Sequence, residues 1–187
     1  MRDKDAITRP QPPEPLLDLV RRCQTGEVAA ERALYDRLAP RVFAVCLRYL
    51  RQHEDAEEAL VEALFKVLTH LNSYTGEGNF EGWVRRITVN ECLMMLRKRN
   101  DLVISIDHQT YPDIPDDDYP TALEHLAAAD LLRLLDHLPN GCATVFKLYA
   151  VEGYKHREVA ELLGISVNTS KSQLILAKTK LQALLNV

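Results

Sequence analysis

The stretch Asp55–Leu71, DAEEALVEALFKVLTHL, decides the fold. Its apolar residues Ala56, Ala59, Leu60, Ala63, Leu64, Val67, Leu68 and Leu71 recur at i, i+3, i+4 and i+7, the period of an amphipathic helix. Asp55, Glu57 and Glu58 fill its first turn, where the helix dipole favours acids. Upstream, Leu16–Arg22 and Val28–Leu38 carry the same period, punctuated by Gly26 and Pro40. Val42, Val45, Cys46, Tyr49 and Leu50 form a further stripe. Downstream, the turn-rich segment Asn72–Asn79 leads into a second long helix predicted from about Phe80 to Arg99, with Phe80, Trp83, Val84, Ile87 and Leu96 on its apolar face. Helices resume near Thr121, a cap for a stretch ending at Leu138 and Pro139. Three more are expected over about Cys142–Val151, Lys155–Leu163 and Val167–Leu185. No stretch alternates persistently with period two, so the chain is predicted to be all-α, in two small helical domains.

At 187 residues and 47% apolar content, one domain or two small ones can each bury a core, and wholesale disorder is excluded. No apolar run approaches the roughly 18 residues of a membrane span. Met1–Pro15 is charged and proline-rich, and reads as a disordered tail, neither signal peptide nor helix.

A net charge of −4 argues against nucleic acid only if it is evenly spread. Residues 101–130 hold eight acids and no Lys or Arg, which leaves 19 acids against 23 bases elsewhere. Asn79–Asn100 alone carries Arg85, Arg86, Arg97, Lys98 and Arg99 against Glu81 and Glu91. The chain therefore divides into a tail (1–15), a mildly basic helical domain (16–100), a flexible acidic linker (101–122) and a second basic helical domain (123–187).

Catalysis has little support. Cys23, Cys46, Cys92 and Cys142 are dispersed, without a C-x-x-C pair, and read as small buried residues of a reduced, cytoplasmic protein. His53 and Glu57 stand i, i+4 on a helix but lack a third metal ligand. No H-E-x-x-H, G-x-S-x-G or phosphate-binding glycine loop is present. No enzyme, metal or cofactor is expected.

Tyr154–Leu174 has a helix-turn-helix pattern. Ala160 is small where two helices cross, and Gly164 permits the positive φ of a tight turn. Val159, Leu163, Ile165 and Leu174 fill the space between the helices, and Ser166 can cap the second. That helix carries Asn168, Thr169, Lys171, Ser172 and Gln173, side chains suited to base edges and phosphates in a major groove.

Asp55-Ala-Glu-Glu, Glu62, Phe65-Lys66-Val67, then Tyr74-x-Gly-Glu-Gly-Asn-Phe80, Trp83, Arg86-Ile87, Asn90 and Leu96–Arg99 resemble the conserved domain of bacterial sigma factors. Leu138-Pro139, Val145-Phe146, Glu152-Gly153-Tyr154, Glu158-Val-Ala160 and Leu163–Ser166 match the same family in its order. The short layout looks like an extracytoplasmic-function (ECF, group IV) sigma factor over about residues 28–185. The resemblance implies a transcription initiation subunit with two domains, region 2-like and region 4-like, and no catalysis of its own.

Several roles follow from the resemblance. Asp55, Glu58, Glu62, Phe65, Lys66 and Leu68 would dock on the clamp of the polymerase's largest catalytic subunit, with the flap of the second subunit as a further contact. The loop Tyr74–Asn79 and the next helix would open and read the minus-ten element, through Tyr74, Asn79, Arg85, Arg86, Asn90, Arg97, Lys98 and Arg99. Trp83 reads as core, not as a stacking platform, whereas Tyr74 is open between the two. Ser166, Asn168, Thr169, Lys171, Ser172, Gln173 and Lys178 would contact the minus-thirty-five element. An anti-sigma factor is a further partner of such proteins.

Departures from the family pattern occur at Val61, Leu68, Met94, Cys142, Ala143 and Leu176. Met94, Ala143 and Leu176 keep open one alternative, a degenerate sigma-like interaction module; a second, a polymerase-independent helix-turn-helix regulator, leaves the Asp55–Arg99 matches unexplained.

Overall fold

A computed structural model describes residues 15–99, 102, 104 and 128–185. The expected tail before Pro15, nearly all of the acidic linker and the Thr121 cap lie outside the described residues.

Among the described residues the regular elements are all helical. The first group comprises α1 (Leu16–Gln24), α2 (Val28–Tyr49), α3 (His53–Thr69), a 3₁₀ turn (Leu71–Ser73) and α4 (Phe80–Lys98). The second comprises α5 (Ala128–Leu135), α6 (Asn140–Phe146), α7 (His156–Leu163) and α8 (Val167–Leu185). In the first group α2 packs on α1, α3 and α4, while α3 also packs on α4. In the second, α8 packs on α5, α6 and α7.

The apolar periods account for this packing. Ala56, Ala59, Ala63, Leu64 and Val67 form the buried stripe of α3. The break expected at Pro40 is absent, because α2 runs through it. Leu34, Leu38, Val42, Cys46 and Tyr49 form one continuous buried stripe across that position. Pro40 and Asp36, whose carbonyl loses its helical donor, are on the exposed side, where water can solvate the freed group. All four cysteines are buried and none is in a disulfide.

The helix expected over about Cys142–Val151 is also modified. α6 ends at Phe146 and passes into a π-helical turn, Lys147–Val151, closed by Glu152 N–H donating to the Lys147 carbonyl at 3.0 Å. Gly153, at φ 79°, ends the turn, and Tyr154 N–H donates to the Leu148 carbonyl. The wider turn turns Lys147 and Glu152 toward the first helical group. Lys147 lies with its ammonium 6.0 Å from the centre of the Tyr49 ring.

The helix-turn-helix forms as its residues require. Glu158 accepts the Lys155 backbone N–H at the start of α7, and Gly164 ends that helix in the left-handed conformation at φ 67°. Ser166 Oγ accepts the Thr169 N–H at 2.9 Å, the cap expected for α8. His156 Nδ1 lies 2.8 Å from Ser170 Oγ, joining the two helices, with Tyr149 stacked on the imidazole.

Candidate functional site

On α3 the side chains divide by face. Glu58 and Glu62 are exposed, Leu68 is half-buried, and Phe65 stands 65% exposed beside an exposed Val61. An apolar surface of this kind, edged by acids, suits a protein partner with basic residues. Two other docking candidates are committed inside the fold. Asp55 is buried and pairs with Arg99, the C-cap residue of α4, at 2.5 Å. Lys66 pairs with Glu91, also of α4, at 2.7 Å. These pairs lock α3 to α4, so the surface left for docking is narrower than expected.

The loop between α3 and α4 is prebuilt. Tyr74, 7% exposed, packs edge-on against Phe80 and tilted against Trp83, and its hydroxyl donates to the Gly78 carbonyl at 2.9 Å. Gly76 and Gly78 take positive φ, which lets the loop turn back on the tyrosine. Tyr74 is therefore a structural post of the loop and not an open stacking surface, because its ring is buried against Phe80 and Trp83. Trp83 is half-buried and stacks on Phe80 at 5.7 Å. Asn79 Oδ1 accepts the Glu81 N–H and caps α4. Gln24 of α1, which carries no motif, donates to the carbonyls of Leu71 at 3.0 Å and Tyr74 at 3.1 Å, bracketing the 3₁₀ turn.

Arg85, Arg86, Arg97, Lys98 and Arg99 are exposed along α4, and Asn90 is half-buried. Three of these arginines meet the second helical group. Arg85 lies 3.6 Å from Glu152, Arg86 lies 4.0 Å from Glu158, and Arg97 donates to the Leu162 carbonyl. Arg48 of α2 joins them, 2.5 Å from Glu152, and Arg51 donates to the Leu138 carbonyl at 3.1 Å. Arg41 and Arg48 carry no motif that marks them in the sequence. Their spacing along α2 reads as an ordinary solvated face until α4 is laid beside it.

The cap residue Ser166 and, on α8, Asn168 are exposed, Thr169, Lys171, Ser172 and Lys178 are partly exposed, and Gln173 is buried at 3%. The expectation that Gln173 reaches a groove is corrected, since its position follows the inward stripe of Ser170, Leu174 and Ala177. Burial holds the Lys147 ammonium down to a pKa of about 8, and pushes the Tyr49 phenol well above its ordinary range. Among the described residues no three His, Cys, Asp or Glu side chains come together as a metal site. No helix among them is long and apolar enough to cross a membrane.

Comparison with known proteins adds to this geometry. Residues 34–101 match Sigma-70 region 2, and residues 128–181 match Sigma-70, region 4. The ECF RNA polymerase sigma factor SigE of Mycolicibacterium smegmatis is 31% identical over 157 residues, a match covering 80% of this chain and 60% of that protein. The ECF RNA polymerase sigma-E factor of Haemophilus influenzae is 26% identical, covering 88% of this chain and 92% of that protein. Among solved structures, the sigma factor RpoE bound to the anti-sigma factor NepR from Bartonella quintana shares the fold. It superposes with a TM-score of 0.52 at 24% identity, over 80% of this chain and 92% of that one.

Proposed function

This chain belongs to the sigma-70 family as a sigma factor of the ECF type, and on that premise we propose that it directs core RNA polymerase to a two-part promoter. It acts in the cytoplasm as a dissociable initiation subunit and leaves RNA synthesis to the core enzyme. The exposed face of α3, with Glu58, Glu62, Val61 and Phe65, docks on basic residues of the polymerase clamp, while the second helical domain meets the flap. The Tyr74–Asn79 loop and the cationic face of α4 hold the minus-ten element as it melts. The exposed start of α8 reads duplex DNA at the minus-thirty-five element, with Lys171 and Lys178 as phosphate contacts. Residues 101–122 tether the two domains. An anti-sigma factor is a further partner.

The observation that carries this reading is the pairing of α3 with α4. Two helices locked side by side present acids and an exposed phenylalanine on one and a row of cations on the other. A polymerase-independent regulator has no use for the first surface. Transcription in vitro with core polymerase and a genomic promoter library tests the proposal. Run-off product that depends on this chain is expected; failure to bind core polymerase would overturn it.

A further inference from the structure

A groove of about 500 Å³ runs between α2 and α4. Its polar lining consists of three arginines, Arg41, Arg48 and Arg85, with Glu81 at one end and Thr88 within. Arg41 is paired with Glu81. At the other end, a carboxylate from the second helical group enters between the other two guanidinium groups. The Glu152 side chain is 0% exposed, with Oε1 2.5 Å from Arg48 Nη1 and Oε2 3.6 Å from Arg85 Nη1.

That arrangement is poorly satisfied. Glu152 Oε2 is buried and accepts no hydrogen bond among the described residues, and the neighbouring Tyr49 hydroxyl is buried in the same state. A buried ion pair gains little after its desolvation cost, and an unsatisfied acceptor lowers the gain further. Guanidinium groups spaced to hold one carboxylate between them also suit the oxygens of a phosphodiester. A phosphodiester presents two anionic oxygens, as Glu152 does, and a strand would continue past it toward Arg41.

We propose that the α2–α4 groove is a binding site for the phosphodiester backbone of promoter DNA, occupied in the free chain by Glu152 as a carboxylate stand-in. The inference rests on the sigma factor reading above and adds Arg41 and Arg48, on a different helix, to the DNA surface of α4. DNA entry displaces Glu152 and releases Arg85 from the second helical group. The free chain therefore hides part of its own DNA surface until polymerase or promoter separates the two groups.

The test uses the full chain, a fluorescein-labelled forked duplex and anisotropy across a salt series. Phosphate contacts are sequence-blind, so one fixed duplex serves for every variant. Glu152→Gln should bind roughly three- to tenfold more tightly than wild type, as expected for removing one competing charge. Adding Arg48→Gln should abolish that gain and flatten the slope of log affinity against log salt by about 1. Arg41→Gln, at the exposed end of the groove, should flatten the slope equally without disturbing the core. Unchanged affinity in Glu152→Gln, or an unchanged slope in a folded Arg41→Gln or Arg48→Gln/Glu152→Gln chain, overturns the groove. Run-off transcription by the wild type separates the two readings. If it succeeds while the slopes stay unchanged, the groove alone is wrong; if it fails, the sigma factor reading is wrong, whatever the anisotropy shows.

Discussion

The Asp55 carboxylate in the first turn of α3 lies 2.5 Å from the Arg99 guanidinium just past the end of α4, 44 residues away. The carboxylate is buried, so the pair helps fix the angle between α3 and α4, the helices proposed to dock on polymerase and to hold DNA. Asp55→Asn should cost about 1–3 kcal/mol of unfolding free energy, the range for leaving one partner of a partly buried pair behind. Urea unfolding measures it. Polymerase affinity should fall less in this variant than in Glu58→Lys or Glu62→Lys, whose acids face solvent.

Neighbouring residues of α3 should separate stability from docking. Leu64 is 1% exposed and Phe65 is 65% exposed. Leu64→Ala should lose about 2–5 kcal/mol of stability by opening a cavity. Phe65→Ala should keep its unfolding midpoint while its affinity for core polymerase falls about tenfold, as for an interface anchor. Denaturation and a pull-down titration on the same preparations check the pair.

The helical periods made much of this legible in advance, because residues three or four positions apart share one face of α3 or α8 and are buried together. Gly164 and Ser166 were readable for the same reason, since turn and cap chemistry is local. What was not readable depends on distant parts of the chain. Asp55 looked like a docking acid because Arg99 is 44 positions away, and Glu152 looked like a motif residue because Arg48 is 104 away. Tyr74 was ambiguous because loop aromatics face either way, and its packing on Phe80 and Trp83, with the hydroxyl bonded to Gly78, fixes its orientation. Pro40 misled because a proline's cost depends on whether the freed carbonyl meets water.

The tether between Tyr74 and Gly78 gives the loop its own test. Tyr74→Phe keeps the ring packed against Phe80 and removes one hydrogen bond, for a cost of about 0.5–1.5 kcal/mol. Global stability should therefore change little. Permanganate reactivity of thymines at the upstream edge of the bubble should fall, while binding to a duplex carrying only the minus-thirty-five element stays at the wild-type level. Equal losses in both assays would assign the tyrosine to the fold as a whole.

Lys147 provides a pH signature. Burial lowers its pKa to about 8 from an ordinary value near 10.5, so the folded chain disfavours the ammonium form. Below pH 8 both folded and unfolded chains are protonated, and the full penalty of burying the charge is present. Between about pH 8 and 10.5 the unfolded chain binds more protons than the folded one, so this residue's contribution to stability rises with pH. Cys23 and Cys142, whose thiols burial pushes up, act in the opposite direction in the same range, so the wild-type profile alone mixes the effects. The difference between wild type and Lys147→Met isolates the lysine. Lys147→Met should be more stable at pH 7 by about 2–3 kcal/mol, and that advantage should shrink toward zero near pH 10.5. Urea midpoints at pH 7 and pH 10 measure it. An advantage that stays constant with pH would mean that the methionine gains by packing and that Lys147 is not held below its ordinary pKa.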